Sequence, residues 1–587
     1  MEKSIVRREL NLSELELAGS IHPILKRVYA ARGICKQDEI QRDLKGLISA
    51  AELKGIDGAV ELLVTALQQQ KRILIVGDFD VDGATSSALG VLALRKMGAQ
   101  HVDYLVPNRF EYGYGLTPEI VDAAETHSND GPPDLLITVD NGIASIEGVN
   151  RAKEKGWQVL VTDHHLAGDL LPNADVIVNP NQIDCPFPSK SLAGVGVIFY
   201  VMTALRTKLR SLNWFEKNAI DVPNMAQFLD LVALGTVADV VPLDSNNRIL
   251  VHHGLRRIRA GLCRPGVKAL VEVSNRKLNR LVASDLGFSL GPRLNAAGRL
   301  DDMSRGIECL LTDSDWQAKE LALELDSLNG DRKKIEEGMR QNAMESLQNI
   351  SLDELALPFG VCLFDDSWHQ GVIGIVASRI KDRYNRPVVA FALADESANE
   401  DGAEIKGSAR SVPGFHLKDA LDAICKRHPH LMKKFGGHAM AAGLTLDKSQ
   451  YEVFAKAFDE EVRSHLNATD LIGEIKSDGE LEATDFSLIL AQELRDAGPW
   501  GQAFPEPLFD GEFRLIQQRI VGEKHLKMVL GVGNEDRIID AIAFNVDLEH
   551  WPSSAHSARI AYRLDINEFR DKQSVQLMVE HLEPMNL

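Results

Sequence analysis

Between residues 71 and 240, short aliphatic runs bounded by turn residues or acids alternate with stretches of helical length. The runs at 73–76, 135–139, 159–161 and 176–178 carry apolar side chains on both faces, as strands of a parallel sheet covered by helices on each side must. The pattern predicts βαβ units wound into a doubly wound parallel sheet. At 311–350 the period changes: Leu321, Leu325, Leu328, Ile335 and Met339 recur at helical spacing among charges, which predicts a connector of one or two long helices. Gly330 and Gly338 argue against one straight rod. Strand-like 359–364 and 387–392 then open a second, smaller α/β domain. From about residue 470 the period falls to two, with strands expected at 509–522, 525–532, 537–545, 559–569 and 575–584. Five short strands of this kind predict a small barrel, and an OB-fold is the natural form. The expected division is an N-terminal segment at 1–50 without an interpretable motif, an α/β domain at 51–310, the connector at 311–350, the smaller α/β domain at 351–465 and the barrel at 466–587.

Composition narrows the class. The chain has 587 residues, 44% of them hydrophobic and 26% charged, too long for one core. No apolar run nears the roughly 18 residues needed to span a bilayer, and the N-terminus lacks the features of an export signal. The expected setting is the cytoplasm, with no membrane partner and a monomer as the default. Six scattered cysteines form no CxxC pair, so neither a disulfide framework nor a structural zinc site is suggested. A net charge of −20 argues against a protein that coats nucleic acid over its whole surface. It leaves room for a local basic channel: two stretches, 378–386 and 426–434, concentrate cations, with a solvated helix face as the blander reading of each.

In doubly wound sheets functional groups gather beyond the carboxyl ends of the strands. The first run leads into "GDFDVDG" (77–83), with Asp78, Asp80 and Asp82 at alternate positions. The second leads into Asp140-Asn141-Gly142, the third into Asp163-His164-His165, and an apolar segment ends at Asp239 in "LGTVADVVPL". Four segments thus bring acids or histidines to one edge. Crowded carboxylates repel unless a cation neutralises them, and oxygen-rich sites with a few imidazoles suit manganese or magnesium.

"VTDHHLAG" (161–168), with "GDFDVDG", "VDNG" and "GTVADVVPL", resembles the DHH phosphoesterase family. "PNRFEYGYGL" (107–116) and "SLGPRLNAAGRLDD" (289–302) resemble, within it, the bacterial exonucleases specific for single-stranded DNA. The resemblance implies a DHH domain that holds two divalent metal ions, Mn2+ or Mg2+, and hydrolyses phosphodiesters from a 5′ end. By position, Asp80 and Asp82 would be ligands, and Asp78 a ligand or a carboxylate behind them. Asp140 would bridge the metals, His164 would be a ligand, and Asp163 a ligand or the group that orients it. His165 would face the scissile phosphate and Asp239 would complete the set. Arg109, Tyr114 and Arg299 would contact substrate.

"GSARSVPG" (407–414) and "FGGHAMAAGL" (435–444) resemble motifs of the DHH-associated domain. Arg410, Ser411, Gly437 and His438 would grip the nucleic-acid backbone, with His438 at the start of a small-residue helix and His369 in the same cleft. The barrel could bind a single strand through Arg514, Arg519, Lys524 and Lys527, or be purely structural. "GPWGQAFPEP" (498–507) resembles a linker motif in which the family more often has glycine where Ala503 stands. The implied partners are single-stranded DNA, single-strand-binding protein and a helicase, in repair and recombination. Two other readings compete: a phosphoesterase of short oligonucleotides or cyclic dinucleotides, and a DNA-binding module without activity. The long connector and the barrel weigh against the first, and the complete set of acids with His164 and His165 against the second.

Overall fold

A computed structural model describes residues 3–10, 15–107, 115–127, 131–350, 357–394, 403–522, 524–533, 537–546, 551, 555–570 and 572–585. The chain divides into two compact units, one of residues 7–329 with 477–587, the other of residues 1–6 with 330–476.

In the first unit, strands β1 (Ile73–Gly77), β2 (Val102–Leu105), β3 (Leu135–Val139), β4 (Gln158–Thr162) and β5 (Val176–Val178) form a wholly parallel sheet in the order β2-β1-β3-β4-β5. Alternate side chains leave opposite faces of a strand, and both faces are covered. Leu74, Val76, Leu136, Val159 and Val161 pack with Ile120, Val149 and Trp157. Ile73, Ile75, Leu135, Ile137 and Leu160 pack on the other side with Leu63, Leu89 and Ile198. Helix α1 (Val81–Lys96), which follows β1, is buried from Val81 to Leu94, so it is a central helix rather than a surface one. Helices α2 (Gly194–Ser211) and α3 (Leu229–Ala238) belong to the same core. A π-turn at Leu286–Leu290 leads into α4 (Gly291–Leu300).

The connector is one continuous helix, α5 (Asp315–Ile350), with Gly330 and Gly338 inside it. The glycine cost of about 1 kcal/mol each does not break a helix whose Ala318, Ala322, Leu325, Met339, Ala343 and Leu347 are buried.

The second unit holds β6 (Val361–Phe364), α6 (Ile373–Tyr384), β7 (Val388–Leu393), β8 (Glu404–Arg410), β9 (Lys434–Gly437) and β10 (Ala441–Asp447), ordered β9-β10-β8-β7-β6, with only β6 and β7 parallel. The 435–444 segment, expected to start a helix, is a hairpin instead: the His438 N–H donates to the Ala441 carbonyl, and β10 pairs with β8. Small residues have little strand preference of their own, and the neighbouring strand decides the outcome. The 378–386 stretch is not simply a solvated face either, since Arg386 is buried, donating to the Leu357 and Pro358 carbonyls.

The first unit resumes with the barrel: β11 (Phe509–Val521), β12 (His525–Gly531), β13 (Ile538–Ala543), β14 (Ser557–Phe569) and β15 (Lys572–Met585) close in the order β11-β12-β13-β15-β14. In the same unit the uninterpreted N-terminal segment acts as a clamp. The Arg32 guanidinium, 1% exposed, meets the Asp478 carboxylate, fully buried, at 2.9 and 3.0 Å, and also donates to the Pro505 carbonyl. Tyr29 packs against Trp500 and Phe504 and donates its hydroxyl to the Ala497 carbonyl. These contacts fix the linker 498–507 between the sheet domain and the barrel.

Candidate metal centre

The strand order 2-1-3-4-5 places the switch point between β1 and β3, where such sheets bind ligands. Both strands end in the acids in question. After β1 the chain turns tightly into α1: a Cβ on Gly83 would lie 2.3 Å from the Asp78 carbonyl oxygen, so the turn requires glycine there. Asp80 caps α1, accepting from the Gly83 N–H at 3.0 Å. Asp82, one residue into the helix, is fully buried and accepts from the Gly194 and Val195 N–H groups at 2.6 and 2.8 Å. Those donors are the first turn of α2, whose dipole favours an anion there.

Asp140 follows β3 with a left-handed backbone, φ +61°. After β4, Asp163 is buried and takes the N–H groups of Ile143, His164 and His165 and the His165 Nδ1 at 2.7 Å. That bonding holds Asp163 behind the site, and it joins none of the clustered donor groups found among the described residues. The His164 and His165 carbonyls are pinned by the side-chain amides of Asn181 and Asn179. So anchored, His164 points Nε2 at three carboxylates: Asp140 Oδ1 at 3.0 Å, Asp239 Oδ2 at 3.6 Å and Asp82 Oδ2 at 3.9 Å. Asp239, the last of them in the chain, caps the C-terminus of α3.

Three overlapping sets of converging donors result: Asp78, Asp80 and Asp140; Asp82, His164 and Asp239; and Asp140, His164 and His165. The sets share Asp140 and His164, a donor arrangement that suits more than one divalent cation. The fit shows in unsatisfied polar atoms. Asp140 Oδ1, Asp239 Oδ2 and His164 Nε2 are buried yet make no hydrogen bond, a costly state that a cation relieves. Electrostatics agree. Burial, with the neighbouring carboxylates, raises the Asp140 and Asp239 carboxyls well above the usual range, and burial with Asp80 raises Asp82 to about 7. Burial and the adjacent His165 lower His164 to about 4, so its lone pair is open to a metal. Burial alone would lower His165, but its bond to Asp163 outweighs that and raises it.

Sequence reasoning missed the residues that make room for this cluster. A Cβ on Gly194 would lie 2.9 Å from Asp140 Oδ1, and one on Gly235 would lie 2.9 Å from Asp82 Oδ1. Their only sequence signal is a glycine at the start of one apolar helix and inside another. Asn295 of α4 was also missed; it accepts from the Val81 N–H at 3.2 Å. Arg299 lies in the last turn of α4, and the adjoining Gly298 abuts the Phe79 carbonyl, between Asp78 and Asp80. Arg109 and Tyr114 lie outside the described residues.

The barrel cations Arg514, Arg519, Lys524 and Lys527 lie in the first unit, and the remaining predicted substrate residues in the second. Arg410 ends β8 opposite Ala441, the Ser411 N–H donates to the Met440 carbonyl, and Gly437 and His438 form the adjacent turn, so these four are brought together. Arg410 Nη1 donates to Ser408 Oγ and the Ala409 carbonyl, and burial lowers its pKa. His369 Nδ1 accepts from the Gly371 N–H, two residues short of α6.

Comparison with known proteins fits this arrangement. The N-terminal domain of the DHH family matches residues 72–236, the DHHA1 domain 357–464 and the RecJ OB domain 477–581. The single-stranded-DNA-specific exonuclease RecJ of Salmonella typhimurium is 53% identical over the full length of both chains. The chain belongs to the RecJ family. RecJ of Escherichia coli is 52% identical, again over the full length of both. A crystal structure of RecJ from Thermus thermophilus in complex with Mn2+ superposes with a TM-score of 0.77 at 29% identity, covering 97% of this chain and 76% of that one. A second from the same organism, with Mg2+, gives 0.72 at 27% identity over 97% and 75%. Those RecJ structures hold the two metals that an oxygen-rich, imidazole-containing site accepts.

Proposed function

We propose that this chain is a metal-dependent exonuclease that degrades single-stranded DNA from its 5′ end and releases mononucleotides. The observation that carries the reading is the convergence of Asp78, Asp80, Asp82, Asp140, His164, His165 and Asp239 into overlapping donor sets at the strand ends, in a RecJ-family chain. Bound divalent cations supply positive charge to the attacking and leaving oxygens of an in-line displacement. The protein's part is to hold the donors ready. The α2 N–H groups fix Asp82, and Gly194 and Gly235 keep the space around the carboxylates clear. Asn179 and Asn181 set the histidine backbone. His164 stays unprotonated at neutral pH and offers Nε2 as a ligand. His165, raised by Asp163, directs Nδ1 at that carboxylate, so Nε2 is the atom it turns to a cation or a phosphate oxygen.

Arg410, Ser411, Gly437 and His438, with His369, Arg109, Tyr114 and Arg299, are proposed to hold the substrate backbone; a planar guanidinium suits phosphate. The same reading places the enzyme in the cytoplasm, acting in repair and recombination on strands opened by a helicase, with single-strand-binding protein as a partner. The test is a single-stranded oligonucleotide labelled at its 3′ end, incubated with Mn2+, with Mg2+ and with chelator. A metal-dependent ladder shortening from the 5′ end, lost in Asp80→Ala and Asp82→Ala, is the expected result. An intact oligonucleotide, with dinucleotides hydrolysed instead, would move the chain to the small-substrate phosphoesterases.

A further inference from the structure

Inside the first unit a cavity of about 950 Å³ lies between the end of α3, the segment 275–288, the linker 498–507 and the barrel strands β14 and β15. Val237 and Val240, which bracket Asp239, line it, so the cavity begins where the metal centre ends. Two features of its wall are out of the ordinary. Val240 has φ +63° and is 59% exposed. A β-branched residue in the left-handed region is a strained outlier, and such strain collects at functional sites. Across from the α3 terminus, Phe288 is 85% exposed in the middle of the π-turn, a helical irregularity also frequent at functional sites. The turn is seated against α3, since a Cβ on Gly287 would lie 3.3 Å from Val237 Cγ1.

A phenylalanine held so far into water forfeits burial that a folded chain otherwise secures. Its neighbours indicate what would cover it. Arg276 and Lys277, with side chains 52% and 71% exposed and paired with Asp285 at 3.1 Å and Glu568 at 3.9 Å, line the same cavity as Trp500. An exposed ring with flanking cations is the combination that receives an unpaired nucleotide, the ring stacking on the base and the cations facing the phosphate. The barrel's share of the wall comes from β14 and β15, through residues such as Arg563 and Met578, and not from the Arg514, Arg519, Lys524 and Lys527 edge.

We propose that Phe288, on the same cavity wall as Val240, is a stacking platform for one nucleobase of the substrate strand, and so a specificity-determining residue for unpaired, base-bearing DNA. This inference rests on the proposed exonuclease reading. It is tested with Phe288→Ala and Phe288→Trp on single-stranded oligonucleotides carrying one abasic site, moved stepwise over the first several nucleotides from the 5′ end. The parent protein should show a slow step at one position of the series. Phe288→Ala should raise KM about tenfold on the intact strand, as loss of one stacked base implies, and abolish the position dependence; Phe288→Trp should restore both. An exposed side chain is a safe site for substitution, so the variants should keep the parent's melting temperature. Unchanged KM and an unchanged abasic profile in an active Phe288→Ala protein would overturn the platform while leaving the exonuclease reading intact. If the parent itself cleaves no single-stranded DNA, it is the exonuclease reading that fails. A Phe288→Ala protein with normal cleavage but weakened capture of single-strand-binding protein would overturn the platform in favour of a protein-docking role.

Discussion

Replacing Gly235 with alanine adds one methyl group to the interior of α3, a change that on an exposed helix would stabilise it by about 1 kcal/mol. Here the new Cβ would lie 2.3 Å from Thr85 Oγ1, 2.8 Å from Val195 Cγ1 and 2.9 Å from Asp82 Oδ1. Carbon contacts relax at roughly 3.5 Å, so the neighbours must give by about 1 Å. The Thr85 hydroxyl cannot turn away without losing its bonds to the Val81 and Asp82 carbonyls, and Val195 is one of the two N–H donors to Asp82. Overpacking of this kind costs about 1–3 kcal/mol, which the helix gain reduces to about 0–2 kcal/mol. Folding should survive, but Asp82 should not keep its place, and loss of such support usually weakens metal binding about 10- to 100-fold. The assay is a Mn2+ titration followed both by cleavage rate and by thermal shift, with unfolding in chelator as the control. A Gly235→Ala protein with the parent's Mn2+ midpoint in both readouts would refute the view that this glycine shapes the metal centre.

Metal removal should expose a pH dependence. The Asp82 carboxyl sits at about 7 in the folded, metal-free protein against about 3.9 in an unfolded chain; its stabilising contribution is therefore complete below about pH 4 and lost as pH rises towards 7. About three units at 1.36 kcal/mol each give a loss of about 4 kcal/mol over that window, to be read from denaturant midpoints in chelator. Asp82→Asn should make it shallower without abolishing it, since the raised Asp140 and Asp239 carboxyls contribute in the same direction, and identical profiles for the two proteins would contradict the assignment. Arg32→Ala should cost about 1–3 kcal/mol, because the buried Asp478 would keep only Arg8 at 3.6 Å and the Leu508 N–H at 3.0 Å, measured as a shift in denaturant midpoint; a change below about 1 kcal/mol would remove the N-terminal clamp. Ala503 occupies the left-handed region at φ +57°, where a side chain costs about 1–2 kcal/mol, so Ala503→Gly should raise the melting temperature by about 1–2 °C.

The order and number of the major elements were legible in the chain. Runs apolar on both faces, such as 73–76 and 135–139, have no place except a covered parallel sheet, and a period of two from 509 onward admits little but strands. The acids were legible for a related reason: Asp78, Asp80, Asp140 and Asp163 sit where each run stops, and the end of a parallel strand is a shared edge. What the chain could not show is anything that depends on distant segments meeting. The donors to Asp82 come from Gly194 and Val195, over a hundred residues away, and the Arg32 partner Asp478 lies 446 residues further on. Local pattern also misread 435–444, because a small-residue segment takes whatever conformation its neighbouring strand imposes. By itself the sequence determined which segments are buried and where charge collects, since both follow from short-range periodicity. Only the tertiary structure decided which carboxylate faces which imidazole, which glycines must stay bare, and that Phe288 stands exposed on a turn seated against α3, because each is set by packing between elements that the chain order does not place together.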